Sequence, residues 1–337
     1  MGLEMSIKKQ YGRLFLSVFV ILIIAAGFSL FAPKKIEEKP TLRIGYLPIT
    51  HSMLPVVAHA QGKFTKVNVE MVKFSSWTEL AEALKAGSID GGGSILNTLA
   101  IKLVEQGVPL RSVLMAVRDG SVLIVKNDIM NVKELENRTI AIPSKFSPHY
   151  ILLQKYLSDN GLEIDKDVKT VELAPPDMIS ALASGSIDGF IVAEPFGAKA
   201  EEMKVGRILV LSKDIEIPGS TSNECVIAIR SEFIEKYPDA VQDFVDQLIL
   251  TGIYVHEAPY EAAKLTVPYY GQKPETIVKA INDPPGRTVY IDLYPRENEY
   301  EAFQKKMMNL GLIKTGINIT EFVDERFAEK TYGKIGK

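Results

Sequence analysis

The sequence predicts an α/β protein of two similar lobes, each a mainly parallel sheet flanked by helices, with a helical C-terminal part. Three observations carry that prediction. The stretch Leu84-Lys85-Ala86-Gly87-Ser88-Ile89-Asp90-Gly91 returns as Leu182-Ala183-Ser184-Gly185-Ser186-Ile187-Asp188-Gly189, with only the second and third positions changed. Each copy follows an amphipathic run, and its first Gly stands where a helix stops, because Gly accepts the left-handed C′ conformation. A short apolar strand comes next, which makes each copy the αβ half of a doubly wound unit. One such turn is ordinary in any α/β protein; two matching copies at domain spacing imply two lobes.

Composition fits two folded domains. The chain has 337 residues, of which 46% are hydrophobic and 24% charged, with a formal charge of -3. That charge, without a basic stripe, gives no reason to expect nucleic acid as a partner. Cys225 is the only cysteine, which excludes an internal disulfide, a CxxC pair and a cysteine-based metal or iron-sulfur centre.

Residues 1–40 read as a targeting segment with a linker. Lys8, Lys9 and Arg13 precede an uncharged apolar run from Leu14 to Ala32, nearly long enough to span a bilayer. The positive flank keeps the N-terminus inside, so the rest of the chain is expected to be exported, periplasmic or at the cell surface. Ala25-Ala26-Gly27 and Leu30-Phe31-Ala32 are both passable cleavage sites, and no lipobox cysteine follows. A cleaved signal peptide and a retained anchor at residues 14–32 stand equal. Pro33 to Pro40 reads as a solvated linker.

The first part of lobe 1 is assigned to residues 41–120. Leu42 to Tyr46 reads as a strand, Met53 to Gln61 as a helix stopped by Gly62, and Val67 to Phe74 as a second strand. Ser76 with Glu79 fits a capping box for the helix that ends at Gly87. The Ile89 strand follows, then Ser94 opening a helix from Ile95 to Glu105, then a strand from Ser112 to Val117. Read together these are βαβαβαβ, the pattern of a parallel sheet. Gly120 to Lys126 reads as the crossover.

Lobe 2 is assigned to residues 121–220. Strands are expected at Arg138 to Ile142, Val168 to Leu173, the second repeat and Arg207 to Leu211; helices at His149 to Ser158, after Pro175-Pro176-Asp177, and after Glu194-Pro195. Residues 221–315 return to lobe 1 through a Cys225 to Ile229 strand. Helices follow at Ser231 to Lys236, Asp239 to Glu257, Tyr260 to Tyr270, Pro274 to Ile281 and Arg296 to Leu310, with a break at Pro284-Pro285-Gly286. Residues 316–337 read as a polar tail.

Motifs of common enzymes are absent. The sequence has no GxGxxG, P-loop, HExxH or GxSxG, and its four histidines (51, 59, 149, 256) offer no metal-ligand pair on one helix. No cofactor and no catalytic residue are expected. Polar residues do gather at strand-to-helix junctions: Thr50, His51 and Ser52; Ser76 and Trp77; Ser94 and Asn97; Ser147 and His149; and Glu194. In an open α/β sheet those junctions line the ligand crevice, where helix N-termini offer free N–H groups to an anion. Each has a plainer role beside that one. The serines serve as N-caps, a lone Trp is often core, and Glu-Pro suits a helix start. His59 and His256 read as structural.

Ile44-Gly45-Tyr46-Leu47-Pro48, Ser76-Trp77, Leu84-x-x-Gly87-x-x-Asp90 and Leu182-x-x-Gly185-x-x-Asp188-Gly189-Phe190-x-x-x-Glu194-Pro195 resemble the nitrate, bicarbonate and sulfonate (taurine) family of ABC-importer solute-binding proteins, and the related pyrimidine-precursor binders. The resemblance covers about Leu42 to Leu312. It implies a type II periplasmic-binding-protein fold whose two lobes close on a small anion and deliver it to a permease and its ATPase. In the nitrate and bicarbonate branch a Trp after a Ser and a His at the first helix of the second lobe line the anion site; Trp77 and His149 match them. Glu194-Pro195 matches a Glu-Pro pair, although Phe196 replaces the usual Trp. Gly120 and Ser121 fall where that branch supplies an amide, and no Gln stands there. Sulfonate, nitrate, bicarbonate or another small anion are therefore all open. The reading is a non-enzymatic, monomeric receptor, with hinges at Gly120 to Lys126 and Pro218 to Cys225. Its alternatives are a receptor for a thiamine-type pyrimidine or another small heterocycle, and a membrane-tethered sensor.

Overall fold

The computed structural model describes residues 38–220 and 223–336, so the expectations for the N-terminal segment lie outside the described residues. Among the described residues no helix is long and apolar enough to cross a membrane. In chain order the elements are β1 (Thr41–Tyr46), α1 (Met53–Ala60), β2 (Asn68–Lys73), α2 (Trp77–Lys85), β3 (Gly91–Leu96), α3 (Asn97–Glu105) and β4 (Leu110–Asp119). Then come β5 (Ser121–Val125), β6 (Thr139–Ile142), α4 (Pro148–Asp159), β7 (Lys169–Glu172), α5 (Pro175–Ala183), β8 (Gly189–Ala193), α6 (Phe196–Glu202) and β9 (Arg207–Leu211). The chain continues with β10 (Asn223–Arg230), α7 (Ser231–Lys236), α8 (Pro238–Glu257), α9 (Pro259–Tyr270), α10 (Pro274–Asn282), β11 (Thr288–Val289), α11 (Glu297–Asn309), α12 (Ile319–Phe322) and α13 (Arg326–Ile335).

Two sheets result, in the orders β11-β4-β10-β3-β1-β2 and β7-β6-β8-β5-β9. The strands β1, β2 and β3 pair in parallel, as do β6, β7 and β8. The expected run of adjacent parallel strands breaks at β4, because β10 lies between β3 and β4 and is antiparallel to both. In the second sheet β5 is likewise interior and antiparallel to β8 and β9. Burial explains both insertions: Cys225 to Ile229 and Val122 to Val125 are fully buried, and so apolar a run needs a neighbour on each edge. Each sheet thus takes, into its interior, a strand from one of the two chain crossings. Only Gly120 separates β4 in one sheet from β5 in the other.

The repeated octapeptide plays the same part twice. Gly87 (φ 68°) and Gly185 (φ 79°) are left-handed and end α2 and α5. Their amides bond Leu84 O (3.2 Å) and Leu182 O (3.1 Å), while the Ser88 and Ser186 amides reach Ala83 O and Ala181 O, both at 3.0 Å. Asp90 then accepts from Arg43 N (2.8 Å) and Arg43 Nε (3.0 Å), and Asp188 from Thr139 N (3.0 Å) and Lys126 Nζ (2.7 Å). Each Asp therefore reaches sideways to the first parallel strand of its sheet and locks the edge at which the next strand enters.

The C-terminal helices pack chiefly on the first sheet, with α1 against α8 and α9. However, α10 packs on α6, which belongs with the second sheet. The polar tail is a correction. Residues 319–335 hold two helices, with Ile319, Phe322, Phe327 and Ala328 buried, and Gln242 Nε2 donates to Phe327 O at 3.0 Å. Only Phe327, Ala328 and the hydrogen-bonded Thr331 are buried on an otherwise polar helix, a narrow stripe that is weak as a sequence signal.

Candidate functional site

The junction after β1 is a short 3-10 turn, Thr50–Ser52, with all three side chains buried. The Thr50 amide (2.8 Å) and hydroxyl (3.1 Å) both donate to Glu194 O, a direct bond between the loops of the two sheets. Tyr290 donates its hydroxyl to Thr50 O at 2.9 Å. His51 Nδ1 lies 3.1 Å from Cys225 Sγ, and burial lowers the imidazole to about 4, so it is neutral. Ser52 and Ser94 share a hydroxyl bond of 2.5 Å, so neither serves as the expected N-cap.

Ser76 does cap α2, accepting from Glu79 N at 3.2 Å. The return bond of the box goes to Ser75 N (3.0 Å to Glu79 Oε2), one residue earlier than the capping box requires. Trp77 is buried, with Nε1 donating to Ser94 O at 3.0 Å and its ring 5.8 Å from that of His149. The helix expected to open at Ser94 begins at Asn97: Ser94 belongs to β3, whose pairing with β10 extends the strand through Leu96. Asn97 is fully buried and neither atom of its amide has a protein partner. Its neighbour Thr98, in α3, donates its hydroxyl to Phe146 O at 2.6 Å, a second bond between the elements of the two sheets.

Gly120 sits at φ 98°, where a Cβ would come within 2.8 Å of His51 Nε2 and 2.9 Å of Thr288 Cγ2. Only glycine fits there. Ser121 bonds His149 Nε2 at 2.9 Å, and its hydroxyl also donates to Glu224 Oε2. Ser147 caps α4 through Tyr150 N (3.2 Å) and donates to Ser144 O (2.6 Å). His149, in the first turn of α4, is fully buried; burial and the nearby His51 hold its imidazole far below its ordinary range, and Nδ1 has no protein partner. Glu194 is also buried, accepting from Ala198 N at 3.0 Å and from Arg287. Burial raises its carboxyl, against the pull of the Arg287 charge.

The cluster that results joins His51, Trp77, Ser121 and His149, with Asn97 next to the Leu96 that pairs with Cys225. Ser76 and Ser147 act as caps at its edge, Thr50 and Glu194 tie the two sides together, and Gly120 supplies close backbone. Three members were not in the sequence reading. Glu224 is fully buried against Ser121 and Ser212, with Oε1 lacking a protein partner. Burial pushes its carboxyl up to about 8, with the Ser121 hydroxyl opposing and Asp119 adding to the rise. Cys225, read only as part of a strand, touches His51, and its thiol is raised by burial and by Glu224. Arg287, just after the Pro284-Pro285-Gly286 break, pairs with Glu194 and donates to Asp283 O at 2.7 Å. An acid at the head of an apolar strand was the one available signal for Glu224.

Five buried side-chain atoms in this cluster lack a well-aligned hydrogen-bond partner among the described residues: His51 Nε2, which lies against the Gly120 backbone, both amide atoms of Asn97, His149 Nδ1, and Glu224 Oε1, whose carboxyl also meets the Ser212 hydroxyl. Buried polar atoms are normally satisfied, so such a concentration makes this cluster the candidate site. Trp77, Asn97 and His149 stand in the first turns of α2, α3 and α4, the helix ends that favour negative charge. Ser121, His149 and Glu224 do not form a nucleophilic triad, because the carboxyl meets the serine and not the far nitrogen of the imidazole. Among the described residues no three His, Cys, Asp or Glu side chains gather so as to hold a metal.

The chain matches the NMT1-like family over residues 35–267. It is 28% identical over 222 residues to the nitrate import ATP-binding protein NrtC of Synechocystis sp., covering 60% of this chain and 33% of that one. It is 32% identical over 198 residues to the taurine-binding periplasmic protein of Escherichia coli, covering 57% and 60%. The chain thus spans less than two thirds of the length of these curated relatives. Among solved structures, the ligand-binding component of an ABC-type import system from Staphylococcus aureus, with zinc bound, superposes with a TM-score of 0.79 at 26% identity, covering 87% of this chain and 99% of that one. The two-sheet α/β architecture is that of the periplasmic binding proteins.

Proposed function

The chain belongs to the NMT1-like family, and on that premise we propose that it is the solute-binding component of an ABC-type import system. It is exported, takes a small anion of the sulfonate, nitrate or bicarbonate type between its two lobes, and hands it to a membrane permease served by an ATPase. The observation that carries this reading is the set of five unpartnered buried atoms, contributed from both sheets, at the mouths of three helices. Relatives named for nitrate import and taurine binding support it.

In this reading residues 41–120 and 221–315 make one lobe, residues 121–220 the other, and Gly120 with the return segment before β10 forms the hinge. The Thr50–Glu194 and Thr98–Phe146 bonds then belong to the closed state, which the ligand favours by binding it more tightly than the open one. A second reading, a small heterocycle, is favoured by one observation: the Trp77 and His149 rings, tilted by 47°, offer a flat partner a stacking wall.

The test is a thermal-shift screen of the purified chain against nitrate, bicarbonate, taurine, alkanesulfonates and pyrimidines. A bound solute raises the melting temperature by mass action, and Trp77, the only tryptophan, reports the same event by fluorescence. His149→Ala and Asn97→Ala are each expected to weaken binding by about tenfold or more. Absence of any shift, or variants that respond like the parent, would sink the proposal.

A further inference from the structure

The placement of Glu224 narrows the ligand. In β10, Asn223 pairs with Arg118 and Cys225 with Val117, so two steps along β10 match one along β4. Glu224 is the extra residue of a β-bulge, a device that re-aims a side chain. Its carboxyl is fully buried beside Ser121 and Ser212; Oε2 takes the Ser121 hydroxyl, and Oε1 has no hydrogen-bond partner among the described residues. Among the described residues its one ion-pairing neighbour is the neutral His149, at 3.8 Å, and no Lys or Arg pairs with it. Burying an acid in that way costs several kcal/mol, which a Gln of the same shape would avoid.

The rest of the cluster has the opposite polarity. Trp77, Asn97 and His149 open three helix N-termini towards it, the end of a helix that favours negative charge. A bare oxyanion would find those helix ends and also an acid. We propose that the solute carries two ends, an anionic group at the helix N-termini and an ammonium or other N–H donor bound by Glu224, which makes Glu224 the residue that rejects amine-free anions. This rests on the receptor reading above. Because the acid holds its proton near neutral pH in the free protein, docking of an ammonium makes it a carboxylate and releases that one proton to solvent.

The experiment uses matched probes that differ by an amine: taurine against ethanesulfonate, and β-alanine against propionate, with nitrate as a bare anion. Binding is read by calorimetry in two buffers, which also counts protons. The parent protein is expected to bind the amine member of at least one pair about tenfold or more tightly than its partner, with proton release. Glu224→Gln is expected to shrink that ratio to within about threefold, chiefly by weakening the amine member. Equal or tighter binding of ethanesulfonate, propionate or nitrate by the parent, or an unchanged ratio in Glu224→Gln, overturns the inference. If a bare anion binds and His149→Ala removes that binding, the receptor reading stands and the Glu224 reading falls; if none of the probes binds, the Glu224 reading falls as well. The parent comparison decides the matter even should the variant fail to fold.

Discussion

Arg287→Ala is expected to lower stability by about 3–5 kcal/mol, the usual consequence of stranding one member of a buried ion pair. Arg287 and Glu194 are both fully buried, and the pair joins the segment before β11 in the first sheet to the loop after β8 in the second. Burial already raises the Glu194 carboxyl above its ordinary 4.5, and the arginine charge is what opposes that rise. Without it the folded protein holds the Glu194 proton more tightly still. A raised folded value means a penalty that is absent below the unfolded value and grows as pH climbs. The deficit of the variant therefore shrinks on acidification towards pH 4.5. Urea denaturation at pH 5 and 7.5 measures it, and Arg287→Met combined with Glu194→Gln should recover most of the loss, because an uncharged pair of similar volume leaves no ion stranded. A loss below about 1 kcal/mol, or one that deepens in acid, would contradict this account.

Glu224→Gln is expected to do the reverse and stabilise the free protein above neutral pH. The Glu224 carboxyl moves from an ordinary 4.5 to about 8 on folding. Between those values the folded chain keeps a proton that the unfolded chain has released, so stability falls as pH rises, by about 1.4 kcal/mol per pH unit, and the penalty is complete above about 8. The glutamine has no such slope. The parent and variant curves should meet near pH 4.5 and diverge by several kcal/mol at pH 8.5. Parallel curves would show that the carboxyl is solvated. A stabilising change that also weakens ligand binding is the pattern expected where function holds a strained group in place.

The two-sheet α/β plan was legible because its signals are local. Gly87 and Gly185 stop helices by their own conformational freedom, and Trp77, Asn97, Ser121 and His149 stand at junctions that any open α/β sheet turns into a crevice. What could not be read depends on contacts between distant segments. The insertion of β10 between β3 and β4 is a choice of strand partner, and an apolar run does not name its neighbours. Ser94 reads as a helix start because Ser is a favoured N-cap; pairing of Ile95 and Leu96 with β10 instead carries the strand past it. Arg287 meets Glu194 across 93 residues, with no sequence pattern linking them. The repeat aspartates hold the neighbouring strand through bonds to Arg43 N and Thr139 N, contacts about fifty residues away that no local pattern announces.

Cys225 has a practical consequence. It is the only thiol in the sequence, is fully buried in an interior strand, and has its sulfur against His51 in the cluster between the two sheets. A thiol reagent in solution can reach it only when that cluster is exposed. On the receptor function proposed above, the labelling rate of a single atom becomes a stopwatch for opening, slowed by a bound solute, with no engineered probe required.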